Sequence, residues 1–313
     1  MKELRIGEVI KKRRKALGLS QLELCEGICE VTTLSRIENG RQAPSYNRVK
    51  AILHRLDLPD DRYTALLDED ELRLEDLKRE ANARVKLVTN ASVQDKPSLR
   101  EEALAAIQML EEFAGEDSLT QQAAMSLRVT LGKPEGPYSL EEKLELLLKA
   151  IRMTRPKFDL EEINDLRYSK GEMTLIIHIA NAYSLAGEKR KVLDIYSQLA
   201  KYARKHGWDQ PRYAGNLVVI LNNYARELNI DKRYEEALEI AQMGWNIAIK
   251  YNDYWCLGSL LSSQATSYAH LGETEKSKDL YYQTLYLYKA LGEQDRISHL
   301  KNDARDTLGI ELN

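Results

Sequence analysis

The 313-residue chain has no apolar run near the roughly 18 residues that a bilayer-spanning helix requires, and no secretory leader. The sequence therefore predicts a soluble, unexported, cytoplasmic protein with no membrane partner. Cysteine is scarce: Cys25, Cys29 and Cys256 make an odd count, which points to a reducing cytosol. No second Cys/His pair stands at metal-ligand spacing, so no metal is expected. Cys25 and Cys29 read as small buried side chains held apart by a turn between two helices. Catalytic signatures are missing too. There is no phosphate-cradling glycine loop and no Ser or Cys nucleophile with a plausible partner. His54, His178, His206, His270 and His299 are scattered. The expectation is a protein that is not an enzyme and has no cofactor. From Pro59 onward no strand alternation appears, and apolar residues recur at helical spacing to the end, so the fold class is all-α.

What is present is unevenly distributed. Hydrophobic residues make up 43 % of the chain, ample for cores, and the net charge is −3, which alone argues against a nucleic-acid partner. Yet residues 1–57 hold 12 Lys/Arg against 7 Asp/Glu, a net +5, while the remainder carries −8. The excess is densest at Lys11-Lys12-Arg13-Arg14-Lys15, where some side chains should meet phosphate and others water. Such asymmetry suggests a basic nucleic-acid module joined to something else, and the length predicts at least two domains.

Residues 19–45, LSQLELCEGICEVTTLSRIENGRQAPS, read as two short helices and a tight turn. Ser20 is a natural N-cap and Glu23 completes a capping box. Leu22, Leu24, Cys25 and Ile28 give the first helix an apolar face, and Gly27 frees the backbone to turn. The second helix is expected from about Glu30 to Asn39, with Val31, Leu34 and Ile37 inward and Thr32, Thr33, Ser35 and Arg36 outward. Asn39-Gly40 is a left-handed stop, and Pro44 prevents resumption. Leu19-Ser20-Gln21, Leu24, Gly27, Ser35 through Gly40 and Pro44 resemble the helix-turn-helix of the lambda-repressor/Cro type, the xenobiotic-response-element (XRE) family. The likeness spans about residues 4–58.

In that geometry the second helix enters the major groove by its N-terminal part. Glu30, Thr32, Thr33 and Arg36 are then expected nearest base edges and the flanking backbone. A Thr offers a hydroxyl, or its methyl to thymine. Gln21 is expected on phosphate or a neighbouring base, and Arg41, Gln42, Ser45 and Tyr46 in backbone contacts. The resemblance makes Arg14 and Glu38 an internal ion pair.

The last 140 or so residues carry a repeat. Tyr183, Tyr224 and Tyr268 close three first helices at spacings of 41 and 44, and Val192, Ala237 and Ser277 each stand 15 residues before Gly207, Asn252 and Gly292. A period near 40 with two helices per unit means an α-solenoid. The pattern resembles degenerate tetratricopeptide (TPR) repeats. The predicted architecture is a five-helix helix-turn-helix domain (1–58), a helical linker (59–94) and a tetratricopeptide-like repeat domain (95–313) for ligand binding and dimerisation.

Stacked helix pairs form an extended concave face. Helical register puts His178, Asn181, Thr174 and Ser184 on one side of a first helix. It matches Asn222 and Arg226 in the next unit with Ser259, Ser262, Ser263 and Thr266 in the third. His178, Asn181, Asn222, Arg226, Ser259, Ser263 and Thr266 are therefore the candidate peptide-binding residues. An Asn amide can pair with a peptide N–H and C=O together, although an Asn near a helix end can equally cap or bridge. The C-terminal Tyr281, Tyr282, Tyr286 and Tyr288 fit interface anchors, core packing or an amphipathic surface.

The combination resembles the PlcR/Rgg-type quorum-sensing regulators of Gram-positive bacteria. That resemblance implies a homodimeric transcription factor on a palindromic double-stranded operator, with a short signalling peptide in the repeat domain. The alternative is a solenoid that docks a protein partner, as in a phage-type repressor or antitoxin, with no peptide signal. A third reading is a groove for a small metabolite.

Overall fold

The computed structural model describes residues 6–59, 69–90, 96–133, 136–211 and 213–312. The described residues form fifteen α-helices and one short 3-10 turn, with no strand beyond an isolated bridge between Lys133 and Gly136. The chain divides into two compact units, Met1–Ala182 and Tyr183–Asn313.

The first unit begins with α1 (Ile6–Ala16), α2 (Gln21–Cys25), α3 (Val31–Glu38) and α4 (Tyr46–Arg55). Ser20 Oγ accepts from Glu23 N–H at 3.1 Å and Glu23 returns the bond to Ser20 N–H at 2.7 Å, so α2 starts on the predicted capping box. Ile10, Leu24, Leu34, Ile37, Ile52 and Leu56 form the buried centre of this head. All but Leu56, which caps α4, come from the apolar stripe of their own helix, so four helices of 11, 5, 8 and 10 residues close a core between them. Arg14 and Glu38 pair at 2.6 Å and tie α1 to α3, the ion pair that the resemblance implied. Arg13 also turns inward, donating from Nε to the Leu56 carbonyl at 3.0 Å.

Among the described residues the expected five-helix domain of 1–58 holds four helices; the fifth, α5 (Glu69–Asn90), starts within the predicted linker and closes against α4. Glu71 accepts from Tyr46 N–H at 2.5 Å, Lys78 reaches Asn47 Oδ1 at 2.6 Å, and Lys50 pairs with Glu75 at 3.5 Å. It then packs with α6 (Lys96–Ala114) and α7 (Ser118–Leu131) around Ala81, Val85, Ala103, Ile107 and Leu110. Residues 60–68 and 91–95, inside the predicted linker and at the expected start of the repeat array, lie outside the described residues. The unit ends with α8 (Leu140–Arg152) and α9 (Lys170–Leu185), the latter running on into the next unit.

The second unit holds α10 (Lys189–Lys205), α11 (Ala214–Ile230), α12 (Tyr234–Tyr251), α13 (Leu257–His270), α14 (Thr274–Leu291) and α15 (Gln294–Leu308). Val192, Ala237 and Ser277, the three matched register positions, are all 0 % exposed. Small or branched side chains recur there because a neighbouring helix crosses closely. Of the four C-terminal tyrosines, Tyr281 and Tyr288 are core residues, whereas Tyr286 is exposed and stacks with Tyr282.

Gly27 shows how tightly the head is seated within its own unit. Its φ is +68°, and a Cβ there would lie 2.2 Å from Thr154 Cα. Gly27→Ala therefore meets both a left-handed penalty of about 1–2 kcal/mol and a backbone overlap that no rotamer relieves. The expected loss in urea unfolding is at least about 2 kcal/mol, and a loss under about 0.5 kcal/mol would show that the close approach is not present in solution.

Candidate nucleic-acid interface and repeat groove

The face of α3 is built by its inward stripe. With Leu34 and Ile37 buried in the head core, the helical repeat turns Thr32 and Arg36 outward and leaves Thr33 and Ser35 half-buried. Glu30 is the N-cap residue and is exposed, as are Arg41 and Ser45, while Gln42 is half-buried. Eight of the nine predicted DNA-contact positions thus retain accessible surface. Two are drawn into the protein's own bonding. Gln21 donates to Glu38 Oε2 at 2.7 Å, which makes it part of the Arg14–Glu38 cluster. Tyr46 is buried, with Lys50 lying 5.1 Å above its ring, and offers the least surface of the set.

The basic run divides as well. Lys12 and Lys15 are exposed, whereas Arg13 and Arg14 are bonded inside the head. Some of the +5 charge of residues 1–57 is therefore structural, and Arg55, 1 % exposed, is a further example.

The turn does not part the two cysteines. Cys29 N–H bonds to the Cys25 carbonyl at 3.0 Å, while the Cys25 thiol donates to the Leu22 carbonyl at 3.8 Å. Its interaction with Cys29, then burial, pushes the Cys25 thiol up, and the same interaction pulls Cys29 below its ordinary value, helped by Arg48 and Arg55. An i, i+4 backbone bond across the turn keeps the two residues together, where the sequence led us to expect them parted.

In the second unit a hollow of about 580 Å³ gathers five of the seven predicted peptide-binding residues: Asn222 and Arg226 from α11, and Ser259, Ser263 and Thr266 from α13. His178 and Asn181 belong to the first unit, where both are half-buried on α9. Burial holds the His178 imidazole below its ordinary value, and Nδ1 lies 3.3 Å from Ser126 Oγ.

The groove wall has fixed and open groups. Asn229 is fully engaged: it donates to the Ser263 carbonyl at 2.9 Å and accepts from Ser267 Oγ at 2.8 Å, so it ties α11 to α13. Thr266 gives its hydroxyl to Asp303 at 3.0 Å. Arg226 is paired with Glu227 at 2.9 Å. Asn222 differs. Its Nδ2 donates to Asn223 Oδ1 at 3.2 Å, while its buried Oδ1 accepts from no group among the described residues.

The far wall comes from α15, through Arg296, His299 and Asp303. Arg296 lies between the Trp255 and Tyr288 rings, 5.4 and 5.7 Å from their centres, and Asp303 accepts from Tyr281 O–H at 2.8 Å. Sequence reading missed this wall because no aromatic–glycine pair marks α15. The i, i+3, i+7 spacing of the three residues was the available signal. A second hollow of about 580 Å³ lies over α10, α11 and α12, with Trp208, Leu221, Met243 and Ile247 in its lining.

The described residues define a class of fold: a helix-turn-helix head followed by stacked helical hairpins. In sequence, residues 10–62 match the family described as Helix-turn-helix. In structure, the chain is similar to PlcR from Bacillus thuringiensis, solved in complex with the peptide PapR7 and DNA. The TM-score is 0.58 at 23 % identity, over 95 % of this chain and 99 % of that one. The apo form of PlcR gives 0.54 at 21 %, over 95 % and 98 %. No curated protein sequence matches the chain. At these identities the likeness establishes the shared fold. Among the described residues no helix is long and apolar enough to cross a membrane, and no group of His, Cys, Asp or Glu could hold a metal ion.

One carboxylate of the first unit gives a pH dependence. Glu172 is fully buried, and burial alone would raise its pKa. Arg55 and Arg155 outweigh burial, and the bonds from Arg55 and Ser169 N–H add to them, so the group falls from 4.5 to about 2. A depressed carboxylate contributes stability that is complete above pH 4.5 and is lost as pH falls towards 2. The gap between wild type and Glu172→Gln in urea unfolding should be several kcal/mol at neutral pH and narrow steadily below about pH 4.5. A gap that stays constant to about pH 3 would refute the assignment.

Proposed function

We propose that the chain is a cytoplasmic, homodimeric transcription regulator that reads a palindromic operator with α3 and binds a short peptide in its repeat groove. The functional division follows the predicted one: residues 1–58 read DNA, 59–94 connect, and 95–313 bind the peptide and dimerise. The observation that carries the peptide half is the Asn222 carbonyl oxygen, buried at the groove wall without a donor. Leaving a buried acceptor unpaired costs about 1–3 kcal/mol, and an extended peptide presents the backbone N–H that would satisfy it. The resemblance to PlcR, whose crystals contain both peptide and DNA, supports the same reading. The row of polar side chains along this groove, Asn222, Arg226, Ser259, Ser263 and Thr266, favours a peptide over an apolar docking helix. The Thr and Asn residues supply recognition, so no catalysis is required.

The DNA half rests on the helix-turn-helix match and on the outward face of α3. Two heads on a dimer would read half-sites about one helical turn apart, roughly 34–36 Å, or a multiple of it. Lys12, Lys15 and Arg41 would contact phosphate.

Replacing both Thr32 and Thr33 with Ala should remove discrimination between operator and random duplex in anisotropy titrations, while circular dichroism and sedimentation stay at wild type. Operator preference retained by the double variant would refute the assignment of α3. Operator affinity should fall at least about tenfold between roughly 50 and 200 mM salt, because each neutralised phosphate releases counterions. A flat profile would exclude phosphate contacts as its main source. For the groove, calorimetry of the full chain against short synthetic peptides encoded beside its gene should give saturable heat that Asn222→Ala weakens about fivefold or more. Equal affinity of wild type and variant would remove Asn222 from the site.

A further inference from the structure

One cluster of charge in the first unit lies outside both the α3 face and the groove. Arg55, the last residue of α4, holds the Leu24 and Glu26 carbonyls through Nη1 at 3.0 and 2.7 Å, so it is bonded into the helix-turn-helix itself. Its Nη2 leaves the head and meets the Thr154 carbonyl at 3.0 Å and Glu172 Oε1 at 2.5 Å. Glu172 has a second task. Its Oε2 accepts from Ser169 N–H at 2.6 Å, and Ser169 Oγ accepts from Glu172 N–H at 3.3 Å. That is a capping box, so one carboxylate both starts α9 and grips the head.

A third residue fits less well. Arg155 is 2 % exposed and approaches Glu172 only at 3.5 Å and Glu26 at 3.6 Å. Its Nε and Nη2 have no hydrogen-bond partner among the described residues. Two buried guanidiniums therefore face one buried carboxylate, since Glu26 is a quarter exposed. A buried ion pair repays its desolvation only with close geometry and complete hydrogen bonding. Arg55–Glu172 comes far closer to that condition, with a 2.5 Å contact and only Arg55 Nε without a partner among the described residues, than Arg155, which has two such nitrogens and no contact shorter than 3.5 Å. Burial, and then the charge of Arg55 working against the help of Glu172, lower the Arg155 pKa from its ordinary value, as a surplus cation requires.

We propose that Arg55, Glu172 and Arg155 form a latch built with surplus charge: the Arg55–Glu172 pair fastens the reading head to the start of α9, and Arg155 keeps the fastened state close to release. Asp57–Arg167 and the Gly27–Thr154 contact lie beside it and fix the orientation in which the head is held.

The test is amide hydrogen exchange on the full chain without any peptide, for wild type, Glu172→Gln, Arg55→Met and Arg155→Met. Glu172→Gln and Arg55→Met should speed exchange across residues 21–38 at least about tenfold and leave α12–α14 unchanged. Arg155→Met should do the opposite, slowing head exchange about threefold or more and raising the melting temperature, because an apolar side chain replaces an ill-paired buried charge. If Arg155→Met speeds head exchange or leaves it unchanged, Arg155 is an ordinary pillar and the proposal is overturned; unchanged head exchange in Glu172→Gln overturns it equally. Should Glu172→Gln or Arg55→Met fail to fold, the sign of the Arg155→Met effect decides alone. With no peptide present, the outcome is independent of whether the groove binds one.

Discussion

A carboxylate sealed away from water stays charged only while cations stand against it, and Glu172 is the place where the first unit depends on that constraint. One of its oxygens begins α9 and the other holds Arg55, whose Nη1 grips the Leu24 and Glu26 carbonyls at the end of α2. Removing the charge would leave two guanidiniums buried without an answer. The position of the head on α8 and α9 is therefore an electrostatic matter as much as a packing one. Beside that contact, Gly27 leaves room for the Thr154 backbone, which a Cβ would overlap.

The positive charge of the head is divided between its surface and its own interior. The positive balance of residues 1–57 pointed to DNA, and the exposed Lys12, Lys15 and Arg41 agree with it. But Arg13, Arg14 and Arg55 are turned inward to carbonyls and carboxylates. Their removal would damage the head before it damaged any phosphate contact. In the groove, Asn222 and Asn229 show the same divergence between identical side chains on one helix. Asn229 is used up in joining α11 to α13, and Asn222 keeps an acceptor unanswered. Register alone placed Asn222 correctly on the wall, but it could not tell an open amide from an occupied one.

Much of the fold was legible because its causes are local. The Ser20–Glu23 capping box, the stop at Asn39-Gly40 and the inward stripe of α3 follow from residues three or four apart, and all are observed. The matched positions Val192, Ala237 and Ser277 were readable because a repeat imposes the same crossing three times. The burial of Tyr46 was not legible because Lys50 over its ring and α5 at its backbone supply the cover, and the closeness of the cysteines was not because the turn is tighter than the spacing suggested. The α15 wall was missed because its residues share a face without sharing the repeat signature.

The sequence by itself determined an all-helical chain, a capped and basic helix-turn-helix, and a repeat with polar positions in register, since each depends on interactions within a turn or two of helix. Only the tertiary structure decided which arginines are pillars, which asparagine is open, and how the head is held. Those outcomes depend on partners far along the chain, as with Arg55 and Glu172, 117 residues apart. No local pattern encodes which distant group will arrive to neutralise a charge.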